Sequence, residues 1–358
     1  MSLNRSVSVL HSEQSQLTES DEIFISDEVQ LYIDIALKLI CLPFLSLCGI
    51  LFNIINIIVV IKIGLTDCVS MAVLFLAISD FLLSATTLFH VMAVVPMKVD
   101  PFATLDPTGL YFLSGWIREM FLDISLLLTA FVSLERCLCV TWPLKFKSVF
   151  TVKRSAVICT AIFSLSILSY VRVHVSHGIR WQFDVTTNRT RLMLWLAKDR
   201  EEVLKFTNAF HRIFLYNVEL ASITLSAIFM AIRIRASARF RQQSTARGSP
   251  SKNKNTVSRK DSRVVTMVFL VAVASIVLLM PSVVFVYARR AFPDFFSYQR
   301  YPNMFSTVVN ATFAFSSLNA CVNIFVYYNF NTRYRQFMQQ YACGQMGEKN
   351  TSTRIAGS

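Results

Sequence analysis

The sequence predicts an all-α membrane protein: a bundle of seven transmembrane helices followed by a short amphipathic helix. Three observations carry this. Hydrophobic residues make up 54% of the 358 residues, and the mean hydropathy is +0.50. Charged residues are only 16%, against about 25% in an average soluble domain. Seven apolar stretches, about 35–62, 69–96, 111–141, 154–175, 208–233, 264–288 and 304–329, reach the length that a bilayer core demands of a helix. A soluble helical bundle would instead alternate polar and apolar faces.

The first segment, 1–34, is polar and acidic. Over residues 1–30 six acids face only Arg5, a net of −5. It has no apolar core behind a basic start, so the first span is expected to act as its own membrane signal. That span holds Gly49-Ile50-Leu51-Phe52-Asn53. The second holds Leu76-Ala77-Ile78-Ser79-Asp80. Asp80 stands alone at mid-depth, where a bare carboxylate is costly, so it must be neutral or have polar neighbours.

The third span carries Arg118, Glu119 and Asp123 in its outer half. It ends on Glu135-Arg136-Cys137, followed by Trp142-Pro143-Leu144. An acid and an arginine side by side at a membrane boundary are expensive unless they pair or act. The bland reading is an arginine snorkelling at a helix end. Arg172, His174 and Glu219 interrupt the fourth and fifth spans. The outer loop 172–212 between them has eight basic and four acidic residues, net +4. It is read as a solvated surface, with an acidic tail folded over it as the second reading. His174-Val175-Ser176-His177 has a spacing that suits a metal. No acid motif accompanies it, so it is read as a solvated loop pair and no enzyme is expected.

The connector 234–263 and the residue before it hold ten basic residues against Asp261, with many Ser and Thr, Gly248 and Pro250. It is expected to be disordered and to lie near anionic lipid, with kinase sites among its hydroxyls. The sixth span contains Pro281 and the seventh ends on Asn323-Ile324-Phe325-Val326-Tyr327. Beyond it, Phe330, Tyr334, Phe337 and Met338 share one face at helical spacing. Arg333 and Arg335 are placed to meet lipid headgroups at the inner leaflet. The chain therefore divides into an extracellular tail 1–34, a membrane domain 35–329 and a cytoplasmic segment 330–358.

With the N-terminus outside, inner segments hold 20 of the 35 Lys and Arg residues, as the positive-inside bias requires. Sequons at Asn4 and Asn188 fall on the same outer side, where glycans attach. None of the eight cysteines falls in an outer loop, so no outer disulfide is expected. Cys343, in the tail, is a candidate for palmitoylation beside a plain tail cysteine.

Taken in order and each in its own helix, these motifs resemble those of the rhodopsin-like (class A) G-protein-coupled receptors. The resemblance runs from the first span to the tail. Gly49–Asn53 looks like the family's Gly/Asn motif, Leu76–Asp80 its Leu-x-x-x-Asp, and Glu135-Arg136-Cys137 its Asp-Arg-Tyr. Asn323–Tyr327 stands for its Asn-Pro-x-x-Tyr, with Ile324 at the proline. The wording of Asn53-Ile54-Ile55-Asn56-Ile57 and of Ser133–Val140 is similar to a divergent invertebrate group, the molluscan chemosensory-type receptors. Departures are several. Tyr111 replaces the outer cysteine of the third helix, and the fourth and fifth spans lack their usual tryptophan and proline. Leu279 replaces the tryptophan of the sixth.

The resemblance implies roles for particular residues. Glu135 would hold Arg136 at rest, and helix movement would turn its charged fork toward Tyr327, Asn323 or a G-protein helix. Asn53, Asp80, Ser125, Asn319 and Asn323 would form a polar cluster that holds a sodium ion or waters. A neutral Asp80 bonded to asparagines, with no ion, is the alternative. The ligand cavity would be lined by Ser114, Arg118, Glu119, Leu122, Ser282, Val286, Arg289, Phe313 and Ser317. Amine receptors of the family have an acid where Arg118 stands, which argues against a monoamine. No lysine occurs in 304–329, which argues against retinal. Arg118 would receive a carboxylate or phosphate, or pair internally with Glu119 or Asp123.

The function implied is transduction of an extracellular chemosensory-type signal to a heterotrimeric G protein. The receptor would be a multi-pass plasma-membrane protein with its N-terminus extracellular. Arrestin, receptor kinases, membrane lipids and an anionic small molecule or peptide are the further partners implied; nucleic acid is not. A neuropeptide receptor of the same fold is the nearest alternative. A seven-span ligand-gated channel of inverted topology is the alternative of another class.

Overall fold

The computed structural model of the chain describes residues 25–94, 104–105, 107–142, 150–185, 188–246, 252–292 and 300–341. Helix α1 is Asp27–Ile63, α2 is Cys68–Val94, α3 is Pro107–Thr141 and α4 is Val152–Val175. A hairpin of β1 (His177–Asp184) and β2 (Arg189–Leu196) follows. Helix α5 runs unbroken through Arg200–Thr207, Asn208–Leu215 and Tyr216–Ala246. Helix α6 is Lys252–Ala291, α7 is Pro302–Phe330, and α8 covers 332–341. Six of these helices are long and apolar enough to cross a membrane. The remaining long one, α3, has 35 residues and carries Arg118, Glu119, Asp123, Glu135 and Arg136.

The helix ends follow from local chemistry. Ser26 caps α1 through Val29 N–H, and Gly64, at φ 97, closes it by donating to Val60 and Ile61 carbonyls. The start of α1 contains a π segment, Ile35–Cys41, immediately before Pro43, which has no N–H to give. Asp67 accepts the Ser70 N–H at 2.7 Å ahead of α2, and Thr151 accepts the Arg154 N–H at 3.3 Å ahead of α4.

The packing is apolar outside and polar inside. On α1, Phe44, Leu47, Leu51, Ile54, Ile58 and Ile61 are exposed, while Ser46, Gly49, Asn53 and Asn56 are buried. The largest fully buried side chains include Arg118 and Glu135. Hydrocarbon solvent selects this arrangement, because a lipid-facing polar group would be unsatisfied. Helix α1 packs on α2 and α7, α3 touches α2, α4, α5 and α6, and α6 closes against α7. Gly49 lets α1 approach α2, since a Cβ there would collide with Ser84 Oγ. An apolar core of Val59, Leu76, Ile124, Leu128, Ile223 and Met230 binds the helices together.

Four expectations are corrected. The outer loop is not simply a solvated surface: β1 and β2 pair antiparallel, His177 opposite Leu196 and Asp184 opposite Arg189. β-Branched and aromatic residues alternating with polar ones favour this hairpin. It lies on α3, where Gly109 admits Ile179 and Leu194, and Leu192 N–H donates to Thr104 at 2.8 Å. Second, α5 begins at Arg200 rather than near residue 208, so Arg200 and Lys205 also stand on a helix and the loop's charge is spread over helix ends. Third, the connector 234–263 is helical up to Ala246 and again from Lys252. Fourth, α1 begins at Asp27 and reaches α7, through Asn303 to Asp27 at 2.8 Å and Thr307 to Gln30 at 2.8 Å. The acidic tail up to residue 24, with Asn4, and Cys343 lie outside the described residues.

Candidate functional site

A cavity of about 690 Å³ opens among α2, α3, α5, α6 and α7. Of the residues expected to line it, Arg118, Glu119, Leu122, Ser282, Val286, Arg289 and Phe313 do so. Ser114 and Ser317 do not. Ser114 instead meets His90 Nδ1 at 3.0 Å and donates to the Leu110 carbonyl at 2.6 Å, while Ser317 is buried with its Oγ unpaired. Both serines fall on helical faces turned between neighbouring helices, which the spacing could not resolve. Trp116, Arg200, Arg212, Tyr216, Phe285 and His90 are lining residues that the sequence reading did not name.

The cavity floor is a buried ionic network. Arg118 Nη1 holds Glu119 Oε1 at 2.6 Å, its Nη2 donates to Ser316, and its guanidinium lies 3.8 Å from the Phe313 ring centroid. Of the two internal pairs open to Arg118, the structure forms the one with Glu119. Arg212 from α5 takes the other Glu119 oxygen, donates to Tyr216 Oη at 2.9 Å and approaches Asp123 at 3.8 Å. Asp123 also accepts from Tyr170 at 2.6 Å and contacts His211 Nδ1 at 2.8 Å. This ties α3 to α4 and α5. His211 and Arg212 stand in the π segment Asn208–Leu215, whose wider turn inserts them into the bundle. Glu219, one helical repeat further, is buried with neither carboxylate oxygen hydrogen-bonded.

Beneath lies the second polar group. Ser125 donates to Asp80 Oδ1 and Asn323 Nδ2 donates to Asp80 Oδ2 at 2.8 Å, joining α2, α3 and α7. Asn53 does not reach Asp80. It donates to the carbonyls of Gly49 at 2.9 Å and Ala320 at 3.0 Å, because it faces the α7 backbone. Asn319 is buried and forms no described hydrogen bond to Asp80. With both Asp80 oxygens engaged, the oxygen donors that a sodium ion would use are Asp80, Ser125 and the Asn323 amide. The network continues inward: Asn56 donates to Asn53 at 3.2 Å and accepts from Tyr334 Oη of α8 at 2.8 Å. Tyr327 packs beside Tyr334, ring centroids 6.1 Å apart. Phe337 and Met338 of α8 pack on the same core.

At the inner end, Glu135 and Arg136 are adjacent in sequence and attract one another, but among the described residues no ion pair within 4 Å joins them. Among the described residues neither Glu135 oxygen has a hydrogen-bond partner, and Arg136 Nε is also unpaired. The expected Glu135–Arg136 pairing is thus electrostatic here, without a direct hydrogen-bonded contact. Consecutive residues on a helix project about 100° apart, so Glu135 turns inward between helices while Arg136 points to another face. Outside the spans, Asn188 is exposed at the hairpin tip with φ 51, a conformation asparagine tolerates. His177 is not solvated: it is 3% exposed and its Nδ1–H donates to the Val173 carbonyl at 2.8 Å. Burial, and then the charge of Arg200, holds its imidazole below the usual histidine range.

Comparison with curated proteins finds no match. A family model, 7 transmembrane receptor (rhodopsin family), matches residues 52–327. That stretch runs from the middle of α1 to Tyr327 near the end of α7, and it includes both polar clusters, the cavity and the Glu135-Arg136 boundary. The match takes in most of the chain and every span, and with it the chain belongs to the rhodopsin family of seven-transmembrane receptors.

Proposed function

We propose that this receptor admits an extracellular chemosensory-type ligand to the outer cavity and relays its binding to a heterotrimeric G protein at the inner face. It acts at the plasma membrane with its N-terminus outside, and arrestin and receptor kinases meet the same inner surface. The observation that supports this most is the placement of Arg118 and Arg136 on one helix. Between them, α3 supplies Asp123 to one polar cluster and Ser125 to the other. A ligand that shifts α3 against α5 thereby changes the setting of its inner end, where Arg136 Nε has no hydrogen-bond acceptor. Coupling of this kind needs two arrangements that the ligand distinguishes. A peptide ligand is the second reading, favoured by exposed Trp181 and Phe183 on the hairpin between α4 and α5.

The test is guanine-nucleotide exchange on a promiscuous G protein, basal and in the presence of amino acids, organic acids, amines and peptides. Arg136→Ala is expected to lower exchange about tenfold or more, the effect of about 1.4 kcal/mol at one contact, with surface abundance unchanged. An undiminished response in that variant sinks the coupling role.

A further inference from the structure

Six cationic side chains line the cavity, and Glu119 is its single carboxylate. Arg212 is taken up by Glu119 and Tyr216, and Lys205 by Glu201 at 2.8 Å. Arg289 and Arg290 are exposed at the outer end of α6, and among the described residues no ion pair joins either to a carboxylate. Arg118 is the decisive member. It is fully buried, its Nη1 and Nη2 are used by Glu119 and Ser316, and its Nε–H has no acceptor. A buried guanidinium donor without an acceptor is costly, and an incoming oxygen removes that cost. The surrounding walls are aromatic and apolar: Trp116, Leu122, Phe285 and Phe313.

We propose that the cavity receives an amphipathic organic anion, whose carboxylate accepts the Arg118 Nε–H and whose apolar body lies against Trp116, Phe285 and Phe313. This rests on reading the cavity as the ligand site. The unbalanced arginines of α6 draw the anion in from solvent. A carboxylate fits better than a phosphate, because Nε is the one guanidinium nitrogen of Arg118 without an acceptor and a phosphate would bring three acceptor oxygens. An ammonium head is excluded by the same surplus of positive charge. Arg118 and Arg212 share Glu119, so the ligand adds a second anion where two guanidinium groups now divide one.

The test uses the full chain in phosphatidylcholine nanodiscs with 1-pyrenebutyrate, its primary amide and the corresponding amine, read as saturable fluorescence change above empty nanodiscs. The carboxylate should bind about tenfold or more tightly than either other head, the scale of one charge-assisted hydrogen bond. Arg118→Gln should remove that preference. Arg289→Gln, at an exposed position, should weaken the carboxylate several-fold and flatten its salt dependence. Equal affinity for the three heads, no saturable carboxylate binding, or full affinity in Arg289→Gln together with Arg118→Gln would overturn the proposal. Should Arg118→Gln not fold, the head-group comparison and Arg289→Gln still decide. Binding here needs no G protein, so head-group selectivity without nucleotide exchange overturns the coupling reading alone.

Discussion

Asp80 shows how a single buried carboxylate organises three helices. Its two oxygens accept from Ser125 on α3 and Asn323 on α7, while its backbone carbonyl accepts from Ser84 at 2.7 Å. Asp80→Ala strands both donors in a site of 1% exposure. The expected cost is about 1–3 kcal/mol, read as a lowered unfolding midpoint of the purified receptor. An unchanged midpoint would mean that water takes up both donors without loss. At this scale the sequence was half legible. A lone acid in an apolar run announces that it needs donors, and the motif order supplied Ser125 and Asn323. Asp123 announced the same need, but its donors were hidden. His211 and Arg212 stood at the start of the predicted fifth span with no role given to them, and their polarity masks the fact that α5 starts further out, at Arg200. The signal was Glu219: an acid in the fifth span implies cations one or two turns away.

The elements were legible wherever apolar length defined them and obscure wherever polar residues sit inside the fold. The seven spans and α8 follow from hydropathy and from the aromatic face around Tyr334. The hairpin between α4 and α5 did not, because Arg180, Arg189 and Arg191 made it read as surface. Its root is His177, whose Nδ1–H is committed to Val173 and whose imidazole is held below the usual range by burial and by Arg200. The sign of the resulting pH dependence is fixed. As pH falls through about 6.5 the unfolded chain takes up a proton that the folded one resists. Stability from this residue is therefore complete above that pH and declines below it. Comparing unfolding midpoints at pH 8 and 5.5, the difference should be smaller in His177→Gln than in the natural chain. The same difference in both would show that His177 titrates alike folded and unfolded.

Across the whole molecule, the proposed function requires the cavity and the basic segments to face opposite sides of the membrane. Inner segments hold 20 of the 35 Lys and Arg residues when the N-terminus is outside. The hairpin tip then presents Asn188 to the glycosylation machinery, exposed and on a turn. Glycosidase treatment should lower the apparent mass of the natural chain, and by one glycan less in Asn188→Gln. An insensitive chain with both sequons intact would put the N-terminus on the cytosolic side and remove the transduction reading. The inverted channel predicts that insensitivity.

None of the seven cysteines among the described residues forms a disulfide, and the hairpin holds no cysteine. The hairpin is attached to the segment before α3 by main-chain contact between Leu192 and Thr104, and to α3 by side chains packed around Gly109. Its anchorage is thus made of a main-chain hydrogen bond and close packing, with no redox component. Dithiothreitol can accompany the receptor through every purification step without loosening that anchorage, and thiol-directed probes can be introduced on the outer face with no covalent staple to compete for them.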